Sequence, residues 1–500
     1  MSKNKFDKMK IFKVKQIAEI DRFTIENEPV SSDKLMERAA NAMFKWIENN
    51  VLYKSFTIFA GTGNNGGDGL VIARLLSEKG AKVNVIILES EKYSPDCLLN
   101  KEKLKGLCDV SIFKNKENKY LVNDCIIDAL FGSGLSRPLS GNAAEAVELI
   151  NISEKFVISV DIPSGLPGED CPDLSDSSIV CADVTLTLQF PKISFFYPES
   201  SKYTGEWHII PIGLHANAIN NTETKFHFTT EEDIKNLLLK RSNFSHKGNY
   251  GHALIFAGSS GKFGAAVMAA KACIHSGAGL TTVYTDKEGM PVIQAAVPEA
   301  MGIFSENSPD LQPFNAVAAG PGIGTGQTNV ALLEKLIRTS VVPMVLDADA
   351  LNILSDSKDL LAILPQGTVI TPHPKEFSRL AGESRTSAEM LNLAVTFALE
   401  NKIIVVLKGA YTRVITPDGR VYFNSTGNPG MAKGGSGDVL TGIIVSLIAR
   451  GYNSENAAIL GVYLHGLAGD IAAKEMSAEY ISACDIISYL CHSFKVLYQL

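Results

Sequence analysis

The stretch Asn428-Pro-Gly-Met-Ala-Lys-Gly-Gly-Ser-Gly-Asp-Val-Leu-Thr-Gly442 contains the most informative motif of the chain. A glycine run, residues 434–437, leads into Asp438, and an apolar helical pattern covers Val439–Ala449. Backbone N–H groups of such a run can surround an anion at the start of a helix, where the helix dipole favours negative charge. Asp438 is then well placed to deprotonate an attacking hydroxyl, although a capping role is the alternative. The stretch predicts a phosphoryl-transfer site.

Outward from this stretch, apolar β-branched runs alternate with helical patterns along the whole chain. This alternation is typical of α/β proteins, in which helices cover both faces of a largely parallel sheet. The predicted strands are Phe56–Ala60, Lys82–Leu88, Cys125–Leu130, Phe156–Val160, Val184–Leu188, His252–Ala257, Leu280–Tyr284, Ala316–Ala319, Met344–Asp347, Thr368–Thr371 and Ile403–Leu407. The predicted helices include Leu70–Lys79, Ala265–His275 and Val439–Ala449.

Length and charge limit the possible organisation and partners. A chain of 500 residues exceeds the about 250–300 residues that one core usually supports, so we expect two domains, with a linker in the polar segment 214–224. The net charge of −7 argues against nucleic acid and anionic membranes as partners. No apolar run reaches the about 18–20 residues of a membrane helix. The eight cysteines form no C-x-x-C pair and there is no signal-peptide pattern, so we expect structural thiols and a cytoplasmic location.

Other strand ends in the C-terminal half carry polar groups. Lys408 and Thr412 follow one predicted strand, and His373 follows another between two prolines, whose fixed φ makes a rigid loop. Asp347 and Asp349 are two residues apart and share a face if their strand continues that far. They either bind Mg²⁺ through water or cap the end of a secondary-structure element. The glycine-rich segments 258–264 and 320–324 each follow a predicted strand. His465 lies in an apolar helical pattern and is expected in the core.

The N-terminal half contains Gly61-Thr-Gly-Asn-Asn-Gly-Gly-Asp-Gly69 between a predicted strand and a predicted helix. Gly61, Gly63 and Gly66 fit the G-x-G-x-x-G pattern that lets backbone N–H groups approach a pyrophosphate. A tight turn whose glycines serve only backbone geometry is the alternative. The polar residues Asn64, Asn65 and Asp68 in the same turn favour contact with a ligand.

Two further strand ends of this half carry carboxylates. Asp128 precedes a Gly/Ser loop that contains Arg137, and Asp161 precedes Ser164. Isolated Asp residues at strand ends are usually turn formers. In doubly wound sheets, however, ligands bind beyond the carboxyl ends of the strands, so we expect these loops to converge on one site.

These residues resemble the N-terminal domain of the NAD(P)H-hydrate epimerase family, the YjeF-N fold. The motifs N-N-G-G-D-G, D-A-L-F-G-S-G and V-D-I-P-S-G are intact over roughly residues 10–213. The resemblance implies a Rossmann-like three-layer α/β/α domain, with Asp161 at the reacting ring and K⁺ held by Asn65, Asp128 and Ser164. It also implies that the hydrated dinucleotide is held by Asn64, Asn65, Gly66, Gly67, Asp68, Gly132, Ser133, Gly134, Leu135, Ser136, Arg137 and Pro138.

The C-terminal half, about residues 226–500, is similar to the ADP/ATP-dependent NAD(P)H-hydrate dehydratase family, with a ribokinase-like α/β fold. The motifs G-P-G-I-G, D-A-D-A-L-N, T-P-H-P-x-E, K-G and G-G-x-G-D occur in the order of that family. Lys375 stands where many relatives carry glycine. The resemblance implies Mg²⁺ and the adenine nucleotide ADP, bound by Lys408, Gly409, Ala410, Tyr411, Thr412 and Gly437. It implies that Ala265, Gly322 or Gly324, His373 and the catalytic Asp438 face the hydrate.

Together, the two halves resemble the bifunctional NAD(P)H-hydrate repair enzymes, with domains at residues 1–216 and 226–500. The resemblance implies epimerisation of the R and S hydrates NADHX and NADPHX, followed by ADP-dependent dehydration of the S form. The fusion implies ADP rather than ATP, and we expect a homo-oligomer. One alternative is a small-molecule kinase of the ribokinase-like group. The other is a non-catalytic N-terminal binding module that regulates its neighbour.

Overall fold

The computed structural model describes residues 9–114, 116, 120–135, 137–169, 174, 177–304 and 309–499. The chain divides into two compact units. The N-terminal unit holds Lys10–Thr224 with Thr386–Ala388, and the C-terminal unit holds Lys225–Arg385 and Glu389–Leu500 with Met9. Both are α/β, as the alternation of apolar runs predicts.

The N-terminal unit is built on a parallel sheet. A short strand β1 (Met9–Ile11) precedes this sheet in the chain and is not part of it. The strands of the sheet are β2 (Ser55–Ala60), β3 (Lys82–Leu88), β4 (Asp109–Phe113), β5 (Cys125–Ala129), β6 (Phe156–Val160), β7 (Val184–Leu188) and β8 (Glu206–Ile210). The order β4-β3-β2-β5-β6-β7-β8, with every pairing parallel, is Rossmann-like. The chain reverses its direction of winding between β2 and β5. A crevice is therefore expected at the carboxyl ends of these two strands.

Helices cover both faces of this sheet. They are α1 (Val14–Asn27), α2 (Ser32–Asn50), α3 (Asn64–Glu78), α4 (Pro95–Lys103), α5 (Asn142–Asn151), α6 (Ser201–Thr204) and α7 (Ala216–Asn221). Ile58 of β2 belongs to the core that includes Met43 of α2, whereas its neighbour Phe59 belongs to the core that includes Leu149 of α5. Successive strand residues point to opposite faces, so the two cores give the three-layer arrangement that the resemblance implies.

The strands of the C-terminal unit form a mixed sheet. They are β9 (Phe226–Thr229), β10 (His252–Phe256), β11 (Leu280–Tyr284), β12 (Met301–Ile303), β13 (Ala316–Ala319), β14 (Met344–Leu346), β15 (Val369–Ile370), β16 (Ile404–Leu407), β17 (Arg413–Ile415) and β18 (Val421–Asn424). Their order is β9-β18-β17-β16-β15-β14-β13-β10-β11-β12. The part from β12 to β16 is parallel, and β17 is antiparallel to both of its neighbours.

The helices of this unit include one buried helix that begins at the carboxyl end of the sheet. They are α8 (Glu231–Leu237), α9 (Phe263–His275), α10 (Gly289–Ala296), α11 (Gln327–Thr339), α12 (Asp349–Asp356), α13 (Pro374–Ala381), α14 (Ser387–Asn401), α15 (Ser436–Ala449), α16 (Ser454–Met476) and α17 (Ala483–Tyr498). Every residue of α15 from Val439 to Ala449 is buried. A Cβ at Gly442 would lie 2.2 Å from the carbonyl oxygen of Ala269, so glycine there lets α9 and α15 touch. Among the described residues, no helix is both long and apolar enough to cross a membrane.

Three helices begin earlier than predicted. α9 begins at Phe263 instead of Ala265, α15 begins at Ser436 instead of Val439, and the difference is largest after β2. The helix after β2 begins at Asn64, not at Leu70, so Asn64–Asp68 form its first turns instead of a loop. Close packing explains why glycines occur inside this helix. A Cβ at Gly66 would lie 2.0 Å from the carbonyl oxygen of Gly61, and one at Gly67 would lie 2.6 Å from Cε of Met36. The absence of side chains lets the helix lie directly on its neighbours.

Candidate active sites

The turn between β2 and α3 is compact because Gly61 lies against the end of β5. Its backbone N–H donates to the carbonyl oxygen of Ala129 at 3.0 Å. A Cβ on Gly61 would lie 1.9 Å from the carbonyl oxygen of Leu130. Gly63 then caps α3, whose first residues are Asn64 and Asn65. The first turn of α3 is thereby placed at the point where the winding of the sheet reverses.

Asp128, near the end of β5, is fully buried and joins two loops. Its carboxylate accepts hydrogen bonds from the backbone N–H of Leu130 (3.2 Å), the hydroxyl of Ser159 (2.8 Å), and both the backbone N–H (2.9 Å) and the hydroxyl (2.6 Å) of Ser164. Burial raises the pKa of Asp128, although the hydrogen bonds from Ser164 lower it. Asp128 therefore fastens the loop after β6 to the loop after β5.

Asn65 lies at the same loop. A Cβ on Gly132 would lie 3.3 Å from Oδ1 of Asn65, and the neighbouring N–H of Phe131 donates to the hydroxyl of Ser164 at 2.8 Å. The amide nitrogen of Asn65 is buried without a hydrogen-bond partner in the described part of the chain. The structure thus brings the predicted cation ligands Asn65, Asp128 and Ser164 around the loop that contains Phe131 and Gly132.

The loop from Gly132 to Pro138 extends from this point to the surface. Gly132, Ser133 and Leu135 are half-buried, whereas Gly134, Arg137 and Pro138 are exposed. Ser136, also predicted to bind the dinucleotide, lies outside the described residues. Only the first part of the loop is therefore packed against the buried polar groups at the end of β5.

Asp161, which follows β6, forms a buried ion pair. Its Oδ1 lies 2.7 Å from Nζ of Lys192, which is 2% exposed and also donates to Oγ1 of Thr187 (3.0 Å) and the carbonyl oxygen of Phe190 (3.3 Å). The φ of Asp161 is +65°, a left-handed conformation that costs about 1–2 kcal/mol for a residue with a Cβ. Strained residues of this kind cluster at active sites. Sequence reasoning selected Asp161 and missed Lys192, whose signal is a single lysine within the apolar segment 190–196.

Two further carboxylates, on Asp21 of α1 and Asp68 of α3, interact electrostatically with Asp161. Burial, with a smaller contribution from Asp161, raises the pKa of Asp21 to about 6, although Lys192 lowers it. Burial, followed by the charges of Asp161 and Asp21, raises the pKa of Asp68 well above its usual range. Oδ1 of Asp68 is buried with no hydrogen-bond partner among the described residues. Acids with elevated pKa values beside a buried ion pair are typical of proton-transfer sites. No pattern in the sequence indicates Asp21.

In the C-terminal unit, the loops after β10 and β13 meet at the start of α9. The hydroxyl of Ser259 donates to the carbonyl oxygen of Gly322 at 2.7 Å, and a Cβ on Gly322 would lie 3.2 Å from that of Ala265. The N–H of Gly324 donates to Oδ2 of Asp349 at 2.8 Å. The structure thus brings Ala265, Gly322 and Gly324 together, and Asp349 supports this loop.

Lys408 follows β16, and its ammonium group lies close to the carboxylates of Asp347 and Glu376, which follow two other strands. Its Nζ lies 2.8 Å from Oδ1 of Asp347 and 3.8 Å from Oε2 of Glu376. Asp347 is 1% exposed, and its Oδ2 accepts a hydrogen bond from the hydroxyl of Thr441 at 2.9 Å. A Cβ on Gly437 would lie 3.4 Å from Nζ of Lys408. Lys408 and Asp347 therefore lie beside the glycine run and the first turns of α15.

Asp438 is the third residue of α15, which is capped by Gly435 in the left-handed conformation. In the part of the chain that the structure describes, no hydrogen bond engages its carboxylate, so nothing there supports the capping alternative. Burial, with a smaller contribution from Asp347, raises the pKa of Asp438 to about 6, although Lys408 lowers it. A carboxylate with such a pKa is suited to accept a proton near neutral pH.

The segment after Lys408 forms a tight turn. The hydroxyl of Thr412 donates to the carbonyl oxygen of Gly409 at 2.9 Å, and the carbonyl oxygen of Thr412 accepts a hydrogen bond from the N–H of Asn424 at 3.0 Å. Gly409 and Ala410 are exposed, and Tyr411 adopts a φ of +52°. The predicted nucleotide-binding residues Lys408–Thr412 thus form a turn whose backbone is held by hydrogen bonds and is partly exposed, next to the ammonium group of Lys408.

His373 caps α13 and lies close to this turn. Its Nδ1 accepts a hydrogen bond from the N–H of Glu376 at 3.2 Å, and the N–H of Lys408 donates to the carbonyl oxygen of Pro372 at 2.9 Å. The side chain is 47% exposed, and its Nε2 lies 3.4 Å from Oε1 of Glu376. Lys375 is exposed on the first turn of the same helix.

His465 of α16 was expected in the core but is only half-buried, and its ring reaches the glycine run, residues 434–437. Its Nε2 lies 3.2 Å from the hydroxyl of Ser436. Burial lowers the pKa of His465 to about 4, so the ring is neutral at neutral pH. A lone histidine in an apolar pattern gives no sign of such a contact in the sequence.

Two family matches cover most of the chain. Residues 32–194 match the family described as YjeF-related protein N-terminus, and residues 253–492 match the family described as NAD(P)H-hydrate dehydratase. The first match contains the groups around Asp128 and Asp161, and the second contains the groups around Asp438.

Curated relatives align along nearly the full length. A bifunctional NAD(P)H-hydrate repair enzyme from Thermofilum pendens is 34% identical and covers 98% of this chain and 97% of its own. One from Moorella thermoacetica is 33% identical over 96% of each chain. A ribokinase-like superfamily protein of known structure from Enterococcus faecalis is 27% identical with a TM-score of 0.50, covering 55% of this chain and 98% of its own. The C-terminal unit is thus ribokinase-like, and the chain belongs to the family of bifunctional NAD(P)H-hydrate repair enzymes.

Proposed function

We propose that the chain repairs NADH and NADPH that have been hydrated at C6 of the nicotinamide ring. The N-terminal unit interconverts the R and S hydrates. The C-terminal unit phosphorylates the hydroxyl of the S hydrate with ADP, and loss of phosphate then regenerates NADH or NADPH. The observation that carries the proposal is the position of Asp438, which lies beside Asp347, Lys408 and the glycine run at the start of α15.

In the dehydratase step, Asp438 accepts the proton of the attacking hydroxyl. The oxygen then bonds to the β-phosphorus of ADP, and the bond to the AMP oxygen breaks. Backbone N–H groups of the glycine run stabilise the charge on the transferring group, because donors fixed in place need no reorganisation. Lys408–Thr412 and Gly437 hold the nucleotide. Ala265, Gly322, Gly324 and His373 face the hydrate.

The carboxylates of this unit fit a magnesium ion that is held mainly by the nucleotide. Mg²⁺ usually takes one or two protein carboxylates together with substrate phosphates and water. Asp347 and Asp349 are already engaged with Lys408 and with the N–H of Gly324, which leaves Asp438 with its oxygens open. Among the described residues, no group of three or more His, Cys, Asp or Glu side chains forms a self-contained metal site. Bound Mg²⁺ would supply positive charge to the phosphates.

In the epimerase step, Asp161 transfers protons at the reacting ring, and Lys192 holds it in place. Asn64–Asp68 and Gly132–Pro138 bind the hydrated dinucleotide. Buried polar atoms normally have hydrogen-bond partners, and the unpartnered atoms of Asn65 and Asp68 are therefore expected at a site completed by a ligand. Asn65, Asp128 and Ser164 offer the hard oxygen atoms that suit K⁺, which would supply positive charge near the dinucleotide.

The experiment is to incubate the full chain with separated R and S hydrates of NADH, with and without ADP. Absorbance of the reduced nicotinamide, AMP and phosphate are measured together. We expect the S hydrate and ADP to give NADH, AMP and phosphate in equal amounts, and the R hydrate to react only after epimerisation. Asp438→Asn should slow NADH formation by about 10²-fold or more. The matched control is Asp356→Asn, an exposed change on α12. A stable phosphorylated product without NADH would establish the kinase alternative instead.

Several further features belong to the same proposal. They are the domain boundaries at 1–216 and 226–500, the use of ADP in preference to ATP, a cytoplasmic location and a homo-oligomer. Comparison of ADP with ATP in the assay above tests the choice of nucleotide. Light scattering of the purified chain tests the oligomeric state.

A further inference from the structure

A second cavity lies in the C-terminal unit, at the opposite end of α9 and α15 from the glycine run. Its volume is about 320 Å³, and its lining includes Ser276 and Gly277 after α9, Arg450 after α15, and two aromatic residues of α17. The 14 residues of α15 span about 20 Å at 1.5 Å per residue. The cavity is therefore separate from the site around Asp438.

Two arginines converge on one glycine at this cavity. Nη2 of Arg241 donates to the carbonyl oxygen of Gly277 at 2.8 Å, and Nη1 of Arg450 donates to that of Ser276 at 2.8 Å. Gly277 has a φ of +95°, and a Cβ there would lie 2.6 Å from Nη2 of Arg241 and 3.3 Å from Nη1 of Arg450. Only glycine allows both guanidinium groups to approach so closely.

The positive charge of this pair is not balanced by acidic side chains. Within the described ranges, neither arginine lies in an ion pair with Asp or Glu. The carbonyl ends of α9 and α15 attract the guanidinium groups, but each carries only about half a negative charge. In addition, Nε of Arg450 and the hydroxyl of the fully buried Ser276 have no hydrogen-bond partner among the described residues. Buried polar atoms normally have hydrogen-bond partners, so we expect these two atoms to lie at a site that is completed by a bound molecule.

The remaining wall of the cavity is aromatic. Phe494 and Tyr498 lie one turn apart on α17, and their ring centroids are 6.4 Å apart. A volume of about 320 Å³ is at the lower end of the range for small-molecule pockets, which suits a compound with one ring. We propose that this cavity binds a small organic anion, in which a phosphate or carboxylate contacts Arg241 and Arg450 and a flat ring packs against Phe494 and Tyr498.

The test is calorimetric titration of the full chain with phenyl phosphate, with inorganic phosphate and phenol as probes of the anion and the ring alone. We expect phenyl phosphate to bind at least tenfold more tightly than either. Arg241→Met and Arg450→Met should each weaken its binding about tenfold or more, because charge-assisted hydrogen bonds to phosphate are strong. The matched control is Arg338→Met on α11, where the arginine pairs with Glu334. Benzoate in place of phenyl phosphate identifies which anion is preferred.

A second set of titrations separates this cavity from the site around Asp438, which also has affinity for phosphate. Lys408→Met should leave the affinity for phenyl phosphate unchanged. Loss of binding in Lys408→Met together with full binding in Arg241→Met would overturn the inference, as would equal affinities for phenyl phosphate and inorganic phosphate. If Arg450→Met does not fold, the exposed Arg241 carries the test by itself. Wild-type affinity in folded Arg241→Met then rejects the site.

Discussion

Nζ of Lys192 lies 2.7 Å from Oδ1 of Asp161, and both side chains are buried behind the carboxyl end of β6. The ammonium group also donates to Thr187 and Phe190, so its three protons all have acceptors. An ammonium group held in this way fixes the direction of the carboxylate. Lys192 is therefore a positioning residue for the proposed epimerase step.

Replacement of Lys192 tests this relationship. Lys192→Met should lower kcat of epimerisation strongly and change KM less, because the carboxylate of Asp161 loses its orientation while the dinucleotide loops remain. It should also reduce the free energy of unfolding by about 3–5 kcal/mol, since it leaves a buried charge without its partner. Steady-state kinetics and thermal melting measure both effects. Lys202→Met, an exposed change on α6, is the control, and an unchanged kcat in Lys192→Met would contradict the positioning role.

Replacement of Asp438 tests the proposed base of the dehydratase. Asp438→Asn keeps the size of the side chain but cannot accept the proton, so kcat should fall about 10²–10⁴-fold. ADP affinity should stay near normal and the epimerase should be intact. Calorimetry with ADP beside the NADH assay measures the two quantities. Turnover close to that of the unmodified chain would end the assignment of Asp438 as the base.

The pH dependence of dehydratase turnover should show the titration of Asp438. The pKa of Asp438 is raised to about 6, and the base must be unprotonated to act, so kcat should rise with pH through about 6 and level off above it. A free aspartate would place this rise near pH 4. The residual rate of Asp438→Asn should lack the rise. A profile that is flat between pH 5 and about 7 would contradict the assignment.

The proposed K⁺ site can be tested at Asp128. Asp128→Ala should weaken epimerisation together with its dependence on K⁺, because it removes the only charged member of the proposed ligand set. The same change removes hydrogen bonds to Leu130, Ser159 and Ser164, so Asp128→Asn is needed as the variant of equal size. Initial rates in K⁺ and in a larger cation such as tetramethylammonium measure the effect. A K⁺ dependence that survives in both variants would rule out the site.

The two proposed activities should separate at the boundary between the units. The fragment 226–500 contains the mixed sheet and its own buried core, so it should fold without the rest of the chain. It should convert the S hydrate with ADP and leave the R hydrate unchanged on the time scale of the assay. Circular dichroism and the NADH assay test both statements. A fragment that remains unfolded would show that the boundary is wrong.

Sequence patterns predicted most of the parallel strands but missed several other strands, both exposed and buried. β3, β7 and β11 have the predicted bounds because apolar and β-branched residues make up most of each run. β4 was not predicted, since most of Asp109–Phe113 is exposed and gives little apolar signal. β17 and β18 were also not predicted, although Pro417-Asp-Gly419 between two apolar runs is a turn signal that favours a hairpin.

For the candidate sites, motif residues could be selected from the sequence because glycines and carboxylates at strand ends have a recognisable order. Asp128, Asp161 and Asp438 are of this kind. Lys192 and Asp21 could not be selected in this way, because they approach Asp161 only through the packing of β7 and α1 in the folded unit. Side chains that come together from distant parts of the chain leave no local pattern in the sequence.

The all-parallel sheet of the N-terminal unit has a consequence for the order of events in folding. Phe56 of β2 pairs with Cys125 of β5, and this pairing closes a loop that contains β3, β4 and two helices. Contacts between residues so distant in the chain form slowly, because the entropy of loop closure is lost before they stabilise anything. Asn65 and the loop after β5 come together only when this pairing is complete. The epimerase unit should therefore acquire its site in a late, rate-limiting step, while local helices form early.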